Sequence, residues 1–236
     1  MTRSSHLLVG GFADPPPEAL ASNRHLRRLI YIVFGIAVAM FLQARQWGPA
    51  STAPSRIPLY IGLIAVEFAL VWFVVIGMRA RGHRLIELLG RRWHTVFDVF
   101  GDVVLAAITA GSLRIAGPLL YQALGGWSSH TSFLLPTTLP ESIVWIIVSC
   151  AAGIGEELVF RGYLQRQLWS LTKSLPAALV LQALIFAIGH LYQGWKPALV
   201  TAIYGLFFGL VAAWRRSIVP GALAHAIGDI IGGLRL

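Results

Sequence analysis

The sequence is poor in charge and in cysteine, and both shortages limit what the chain can be. Only 12% of its 236 residues are charged and 56% are hydrophobic, whereas an average soluble domain has roughly 25% charged residues. This composition excludes an ordinary soluble domain and predicts an integral, multi-pass membrane protein. The single cysteine, Cys150, excludes a disulfide framework and a thiolate metal site. Because no basic residue adjoins it, we interpret Cys150 as a small core residue and not as a nucleophile.

Acidic residues are scarcer than basic ones, with 10 Asp and Glu against 19 Lys and Arg. The basic residues do not form one face with interleaved aromatic residues, so we predict no nucleic-acid partner. Fourteen of the nineteen lie in segments on the side of the N-terminus, including one segment with Arg161, Arg166 and Lys173. This bias predicts a cytoplasmic N-terminus and contact with anionic lipid of the bilayer. If the source is a bacterium, the membrane is the plasma membrane.

Seven apolar runs approach the roughly 20 residues that a membrane-spanning helix needs. The predicted fold is therefore all-α: a polytopic transmembrane helical bundle of about seven spans, within a range of six to eight. The third run is interrupted by glycines and Pro118, so it is either one kinked span or a span followed by a surface helix. The runs cover residues 29–44, 59–78, 99–124, 143–160, 176–191, 197–214 and 218–234.

The sequence predicts three regions along the chain. Residues 1–28 form a cytoplasmic tail with three consecutive prolines, which exclude helix. Residues 29–140 form accessory transmembrane helices and loops, and residues 125–140 make an external loop that is a candidate mobile lid. Residues 141–236 form the functional helical core, because polar residues at helical spacing begin there.

Three carboxylates before residue 140 are explained without catalysis. Glu67 in the second span has no basic residue three or four positions away. We interpret it as forming an interhelical hydrogen bond, with a proton path as the alternative. Asp98 and Asp102, four apart at the start of the third span, are interpreted as helix-capping and dipole partners in preference to metal ligands.

Residues 155–162 hold two adjacent glutamates and an arginine inside an apolar run, and ionisable residues at membrane depth usually mark a functional site. Glu157 and Arg161 are four apart on one helix face, whereas Glu156 points about 100° away. A carboxylate paired with arginine is a poor base, and an unpaired neighbour in a poorly solvated site is a better one near neutral pH. Glu156 is therefore the candidate base, with Glu157 and Arg161 in supporting roles.

Two later runs supply partners for these residues. Phe186 and His190 are four apart, as are His225 and Asp229, so each pair shares a helix face. Small residues beside both pairs permit close helix approach. Two histidines, two glutamates and an aspartate on three apolar helices predict one functional site in preference to a structural polar network.

Three motifs in this order on successive apolar segments resemble those of the CPBP family of intramembrane proteases. This family is also called the CAAX protease and bacteriocin-processing, or Abi, family. The motifs are Glu-Glu-x-x-x-Arg from Glu156, Phe-x-x-x-His from Phe186 and His-x-x-x-Asp from His225. The likeness covers residues 141–236, and the N-terminal half adds only its hydropathy.

The resemblance implies a glutamate-dependent intramembrane endopeptidase that cleaves a peptide or a membrane protein, with no cofactor and no obligatory metal. It implies that Glu156 and His190 activate a water, while His225 and Asp229 stabilise the oxyanion. The family's best-studied members carry asparagine at the position of Asp229. Because an ionised aspartate cannot donate a hydrogen bond, Asp229 either holds a proton or orients His225. The substrate, including whether it is prenylated, and the oligomeric state stay open.

Three alternatives compete with the peptidase hypothesis. A zinc metalloprotease is one, although no His-Glu-x-x-His motif is present. A transporter or proton relay using the same polar residues is another, although no inverted repeat is evident. A non-enzymatic membrane scaffold with the same fold is the third.

The depths of the two proposed bases also set a condition on the hypothesis. Counting along the predicted spans puts Glu156 toward the inner side and His190 toward the outer end of the next span. A common site therefore requires offset, tilted or broken helices near Gly189.

Overall fold

The computed structural model describes residues 17–46, 55–91, 93–126 and 133–235, and these ranges are dominated by helices. Two short 3-10 turns, Leu85–Leu89 and Leu191–Gln193, connect longer helices. Those helices are α1 (Asn23–Gln46), α2 (Ile57–Arg79), α3 (Val96–Ala123), α4 (Leu139–Glu156), α5 (Arg166–Thr172), α6 (Leu175–Gly189), α7 (Trp195–Arg215) and α8 (Val219–Leu234). A π-helical segment, Glu157–Gln165, joins α4 to α5. The predicted all-α bundle is confirmed.

Seven apolar helices of the described ranges correspond to the seven predicted spans, but two of them are short. Five helices in the described ranges are long and apolar enough to cross a membrane: α1, α2, α3, the continuous helix Leu139–Thr172 and α7. The other two, α6 and α8, have only 15 and 16 residues, fewer than the roughly 20 that a straight span needs. Large apolar side chains such as Phe68 and Trp72 are exposed on the outside, as expected of a surface that faces lipid.

The third predicted span is a single helix. Pro118 lies inside α3 and the helix continues to Ala123, so a span with a separate surface helix is excluded for this segment. The proline triplet of the tail lies mostly outside the described residues, as does the middle of the predicted lid, residues 127–132.

The fourth span is longer than predicted. The sequence places its end near Phe160, because Arg161, Gly162 and Arg166 are typical of a connecting segment, yet the helix runs to Thr172. Arg161 is completely buried within it, and Arg166 donates to the backbone carbonyl of Glu87 at 2.7 Å. Arg161 therefore lies inside the helix and not in a connecting segment, whereas Arg166 contacts the other connection that was assigned to the same side.

The turn between α5 and α6 sets the height of the two proposed bases. Lys173 adopts a left-handed conformation with φ 57° and ends α5, while the Ser174 side chain accepts from the Ala177 amide and begins α6. Glu156 lies sixteen residues before Thr172, and His190 lies fifteen residues after Leu175. Both are thus about four turns from the same chain reversal, which removes the difference in depth that counting predicted.

Ion pairs join the helices near their ends. Arg56, before α2, lies 3.4 Å from Glu141 in the first turn of α4, and both side chains are buried. Asp98 forms a capping box with Thr95 at the start of α3, as the capping interpretation predicts. Asp102 accepts from Arg215 of α7 at 2.5 Å. The two aspartates therefore cap and connect helices.

Glycine allows α4 and α8 to pack closely. A Cβ atom added to Gly153 would lie 2.7 Å from the amide nitrogen of Ala226 and 2.9 Å from the carbonyl oxygen of Ala222. The two helices therefore approach at backbone distance, which brings the third motif beside the first. Cys150, on the same helix, is exposed, so its predicted place in the core was wrong.

Candidate active site

The two adjacent glutamates lie at a change of helix type. Glu156 ends α4, and Glu157 begins the π-helical segment, whose nine residues are all buried. π insertions within α-helices occur often at functional sites. Gly162 lies inside this segment, where an added Cβ would come within 3.0 Å of Leu88. Hydrophobic periodicity predicts only regular helix here, so the π segment could not be foreseen from spacing.

Glu157 and Arg161 form the pair that their spacing predicts. The Arg161 Nη1 atom lies 2.8 Å from Glu157 Oε1, and neither side chain has any exposed surface. Arg161 also donates to the Gly205 carbonyl at 3.3 Å, and its guanidinium lies 4.4 Å from the ring centre of Phe186. A second glycine, Gly221, leaves room for the Glu157 carboxylate, because an added Cβ would be 3.0 Å from Oε2. This buried cluster therefore contacts Phe186 and the backbone at Gly205 and Gly221, and it holds these segments together.

His225 links the first motif to the third. Its Nδ1 atom is 3.4 Å from Glu157 Oε1, and its Nε2 atom is 3.6 Å from both Glu156 Oε2 and Asp229 Oδ2. The ring stacks on Phe208 with centroids 5.3 Å apart. Because each ring nitrogen faces a carboxylate, His225 is placed to donate from both sides.

His190 is held in one orientation at the end of α6. Its Nδ1 atom lies 2.9 Å from the carbonyl oxygen of Phe186, and the two rings are 4.6 Å apart. Since a carbonyl only accepts, Nδ1 carries a proton, which leaves Nε2 with its lone pair in the neutral ring. Phe186 thus orients His190 through its backbone while its ring covers Arg161.

One cavity of about 1150 Å³ brings the four predicted catalytic residues together. Glu156 of α4, His190 after α6, and His225 and Asp229 of α8 all line it, and so does Phe186. Their exposure differs, since the Asp229 side chain is 42% exposed and that of Glu156 is 16% exposed. Glu157 and Arg161 are not among the lining residues, which agrees with a supporting position behind the cavity wall.

Helices of the N-terminal half also contribute to this cavity. Arg114 and Tyr121 of α3 and Glu67 of α2 line it, as does Tyr192 beyond His190. A Cβ added to Gly155 would lie 2.6 Å from Glu67 Oε2, so this carboxyl occupies the space beside the residue before Glu156. Among the described residues, Glu67 Oε2 has no hydrogen-bond partner, so the predicted interhelical hydrogen bond is not formed by this atom.

The sequence carried one signal for Glu67 that the hydrogen-bond interpretation set aside. It is a carboxylate in an apolar span with no partner on its own helix, and such groups usually face a cavity or a functional site. The structure places it in the same cavity as the second and third motifs. Spacing along one helix could not reveal this, because the neighbours of Glu67 lie on other helices.

The site offers acid-base chemistry. Glu156 and the Nε2 atom of His190 are two groups able to accept a proton on one cavity, and the His225 ring, which can donate, lies beside Glu156. Within the described parts of the chain, no group of three or more His, Cys, Asp or Glu side chains is arranged to hold a metal ion.

Comparison with protein families identifies the C-terminal part of the chain. Residues 138–231 match the family model described as type II CAAX prenyl endopeptidase Rce1-like. Searches among curated proteins and among solved structures gave no match. The matched segment contains all three motifs, from Glu156 to Asp229, and the helices that carry them. Over residues 138–231, the chain is therefore similar to the CAAX protease, or CPBP, family, the resemblance that the order of its motifs indicates.

Proposed function

We propose that this protein is an intramembrane endopeptidase that hydrolyses a peptide bond with a water activated by Glu156 and His190. One observation carries the proposal: Glu156, His190 and His225, from three different segments of the helical core, line the same cavity. Buried polar groups that converge on one apolar cavity are the usual setting of an active site.

The water would lie between the Glu156 carboxylate and the Nε2 atom of His190. Glu156 takes one proton while the water oxygen bonds to the scissile carbonyl carbon, and the C=O π electrons move onto the carbonyl oxygen. Collapse of this intermediate breaks the C–N bond, and the proton held by Glu156 passes to the leaving amine. His190 accepts the second water hydrogen bond, since its Nδ1 atom is engaged with the Phe186 carbonyl.

His225 would stabilise the oxyanion. Its Nε2 atom faces the cavity between Glu156 and Asp229, and a donor aimed at the developing charge is usually the largest catalytic contribution. Asp229 lies 3.6 Å from the same nitrogen, which supports an orienting role for this side chain. Glu157 Oε1 lies 3.4 Å from the other ring nitrogen, Nδ1.

The substrate is a peptide segment that reaches the cavity from the bilayer or from its surface. The lining is mainly apolar, which suits an apolar substrate segment in preference to a charged one. We further propose that hydrolysis needs no metal, that the N-terminus is cytoplasmic, and that residues 141–236 form the catalytic core on an accessory N-terminal half.

Cleavage of a panel of labelled peptides and membrane-anchored peptides by protein in lipid nanodiscs tests the proposal. We expect Glu156→Gln and His190→Ala to melt near the wild-type temperature and to lose at least ~100-fold in turnover, the scale of an acid-base catalyst. Cys150→Ser, on the outer face of the same helix as Glu156, is the matched control and keeps full activity. Full turnover in Glu156→Gln would contradict the proposal, as would loss of activity only through unfolding.

A further inference from the structure

Glu67 is a carboxyl group of the cavity that has no assigned role. It projects from α2, which lies outside the matched family segment, and its Oε2 atom lies against Gly155. That atom is shielded from solvent, and none of the described residues hydrogen-bonds to it. A carboxyl oxygen that is buried without a partner, next to the residue that precedes Glu156, calls for a role in the site.

The charges around Glu67 determine whether its carboxyl group holds a proton. Glu156, His225 and Asp229 act on it electrostatically. His190 and Tyr192 face the same cavity from the end of α6, Tyr204 from α7, and Arg114 and Tyr121 from α3. Arg161, the nearby arginine of the core, pairs with Glu157 behind the wall.

Three carboxyl groups, those of Glu67, Glu156 and Asp229, line this one cavity, and like charges that share a site disfavour one another. Glu156 and Asp229 each lie 3.6 Å from His225 Nε2, a possible donor to both. Among described residues, no basic side chain pairs with Glu67 Oε2. The carboxyl group that keeps its proton is therefore that of Glu67.

We propose that Glu67 is a positioning residue of this site, whose protonated carboxyl donates a hydrogen bond toward the Glu156 carboxylate and keeps it aimed into the cavity. Gly155 permits this arrangement because a side chain at that position would collide with the Glu67 carboxyl. The N-terminal half of the chain would thereby supply part of the site. This inference rests on the proposed function of Glu156 as the base.

Two substitutions at Glu67 separate a neutral donor from a charged or structural group. Glutamine keeps the shape and the donor, so Glu67→Gln is expected to retain turnover within about threefold of wild type. Alanine removes the donor, so Glu67→Ala is expected to lower kcat by about tenfold with KM nearly unchanged, the scale of one hydrogen bond. Because an amide cannot ionise, the alkaline limb of the pH profile of Glu67→Gln should move to higher pH. Glu18→Gln, at an exposed residue before α1, is the matched control.

The outcomes of this experiment are distinct. Equal loss in Glu67→Gln and Glu67→Ala would overturn the inference, because the charged form would then be needed. Unchanged kinetics in both variants, or an unmoved alkaline limb in Glu67→Gln, would overturn it as well. If Glu67→Ala fails to fold, Glu67→Gln and its pH profile still decide. Full turnover in Glu156→Gln would instead overturn the proposed function, so the two failures can be told apart.

Discussion

Arg161 is a cation with no exposed surface, and its environment explains why it is tolerated. Its charge is matched by Glu157 at 2.8 Å, it donates to the Gly205 carbonyl, and it lies over the Phe186 ring. A buried charge is stable only when its partners are in place. The pair therefore makes the packing of the π segment against α6 and α7 dependent on both of its members.

Removing one member of this pair should cost more than removing both. Arg161→Leu leaves Glu157 buried and unpaired, and we expect it to lower the free energy of unfolding by about 3–5 kcal/mol. The double variant Glu157→Gln with Arg161→Leu should recover a large part of this loss. Thermal unfolding in detergent measures both variants, and additive losses in the double variant would contradict the pairing argument.

Asp229 differs from the asparagine that the resemblance leads one to expect. Asparagine retains an oxygen that accepts from His225 and adds an amide that can donate to an oxyanion. We therefore expect Asp229→Asn to keep or raise turnover and Asp229→Ala to lose about tenfold or more, less than the ~100-fold scale of a lost oxyanion donor because His225 remains. Steady-state cleavage rates decide, and an equal loss in both variants would show that the negative charge itself is required.

Spacing rules predicted contacts within each motif but not those between motifs. The i,i+4 rule correctly paired Glu157 with Arg161 and placed His190 beside Phe186. It could not show that His225 of α8 faces both glutamates of the first motif, because a helical period says which residues share a face and nothing about which helix lies opposite. For the same reason, spacing could not show that Glu67 of α2 lines the cavity with the second and third motifs.

At the level of helices, the position of the candidate site depends on one long helix and two short ones. The helix Leu139–Thr172 continues through a buried π segment, while α6 and α8 are short. The fourth span was predicted too short because arginine and glycine usually mark a helix end, and here burial beside Glu157 and Leu88 reverses that preference. Tertiary contacts of this kind are invisible to a count of apolar residues.

The close approach of α4 and α8 can be tested at Gly153. An added Cβ would meet the backbone of Ala226 and Ala222, so Gly153→Ala must push α8 and its His225 away. We expect a loss of about 1–3 kcal/mol in unfolding free energy and at least ~10-fold in turnover, since displacement of a catalytic group by about 1 Å costs up to ~100-fold. Activity and melting temperature are measured together.

Gly35 is the matched control for this substitution. It lies in α1, and an added Cβ would meet nothing within 4 Å. Gly35→Ala is therefore expected to leave activity unchanged and to raise stability by about 0.5–1 kcal/mol, because alanine restricts the unfolded chain. Equal effects at the two glycines would show that helix approach at Gly153 is not the cause.

For the whole molecule, both halves of the chain surround one cavity. The matched family segment carries the three motifs, whereas α2 and α3 supply Glu67, Arg114 and Tyr121 to the same space. The division near residue 140 and the cytoplasmic N-terminus remain predictions. Composition alone was sufficient to predict the membrane bundle. A chain with only 12% charged residues is suited to lipid, and in lipid the backbone groups must hydrogen-bond to one another, as they do in helices.

Chelation distinguishes the proposed mechanism from that of a metalloprotease. We expect prolonged treatment of the purified protein with a strong chelator, followed by dialysis, to leave the turnover within about twofold of that of untreated protein, since the proposed nucleophile is activated by side chains. A loss of turnover that zinc restores would contradict this prediction.

The most direct test of the account is the initial rate of peptide cleavage by Glu156→Gln relative to wild type, measured in lipid nanodiscs across the neutral pH range. The account predicts a rate at least ~100-fold lower at every pH, because an amide cannot take the proton from the attacking water. A folded Glu156→Gln protein that cleaves within a few-fold of the wild-type rate would contradict the central claim.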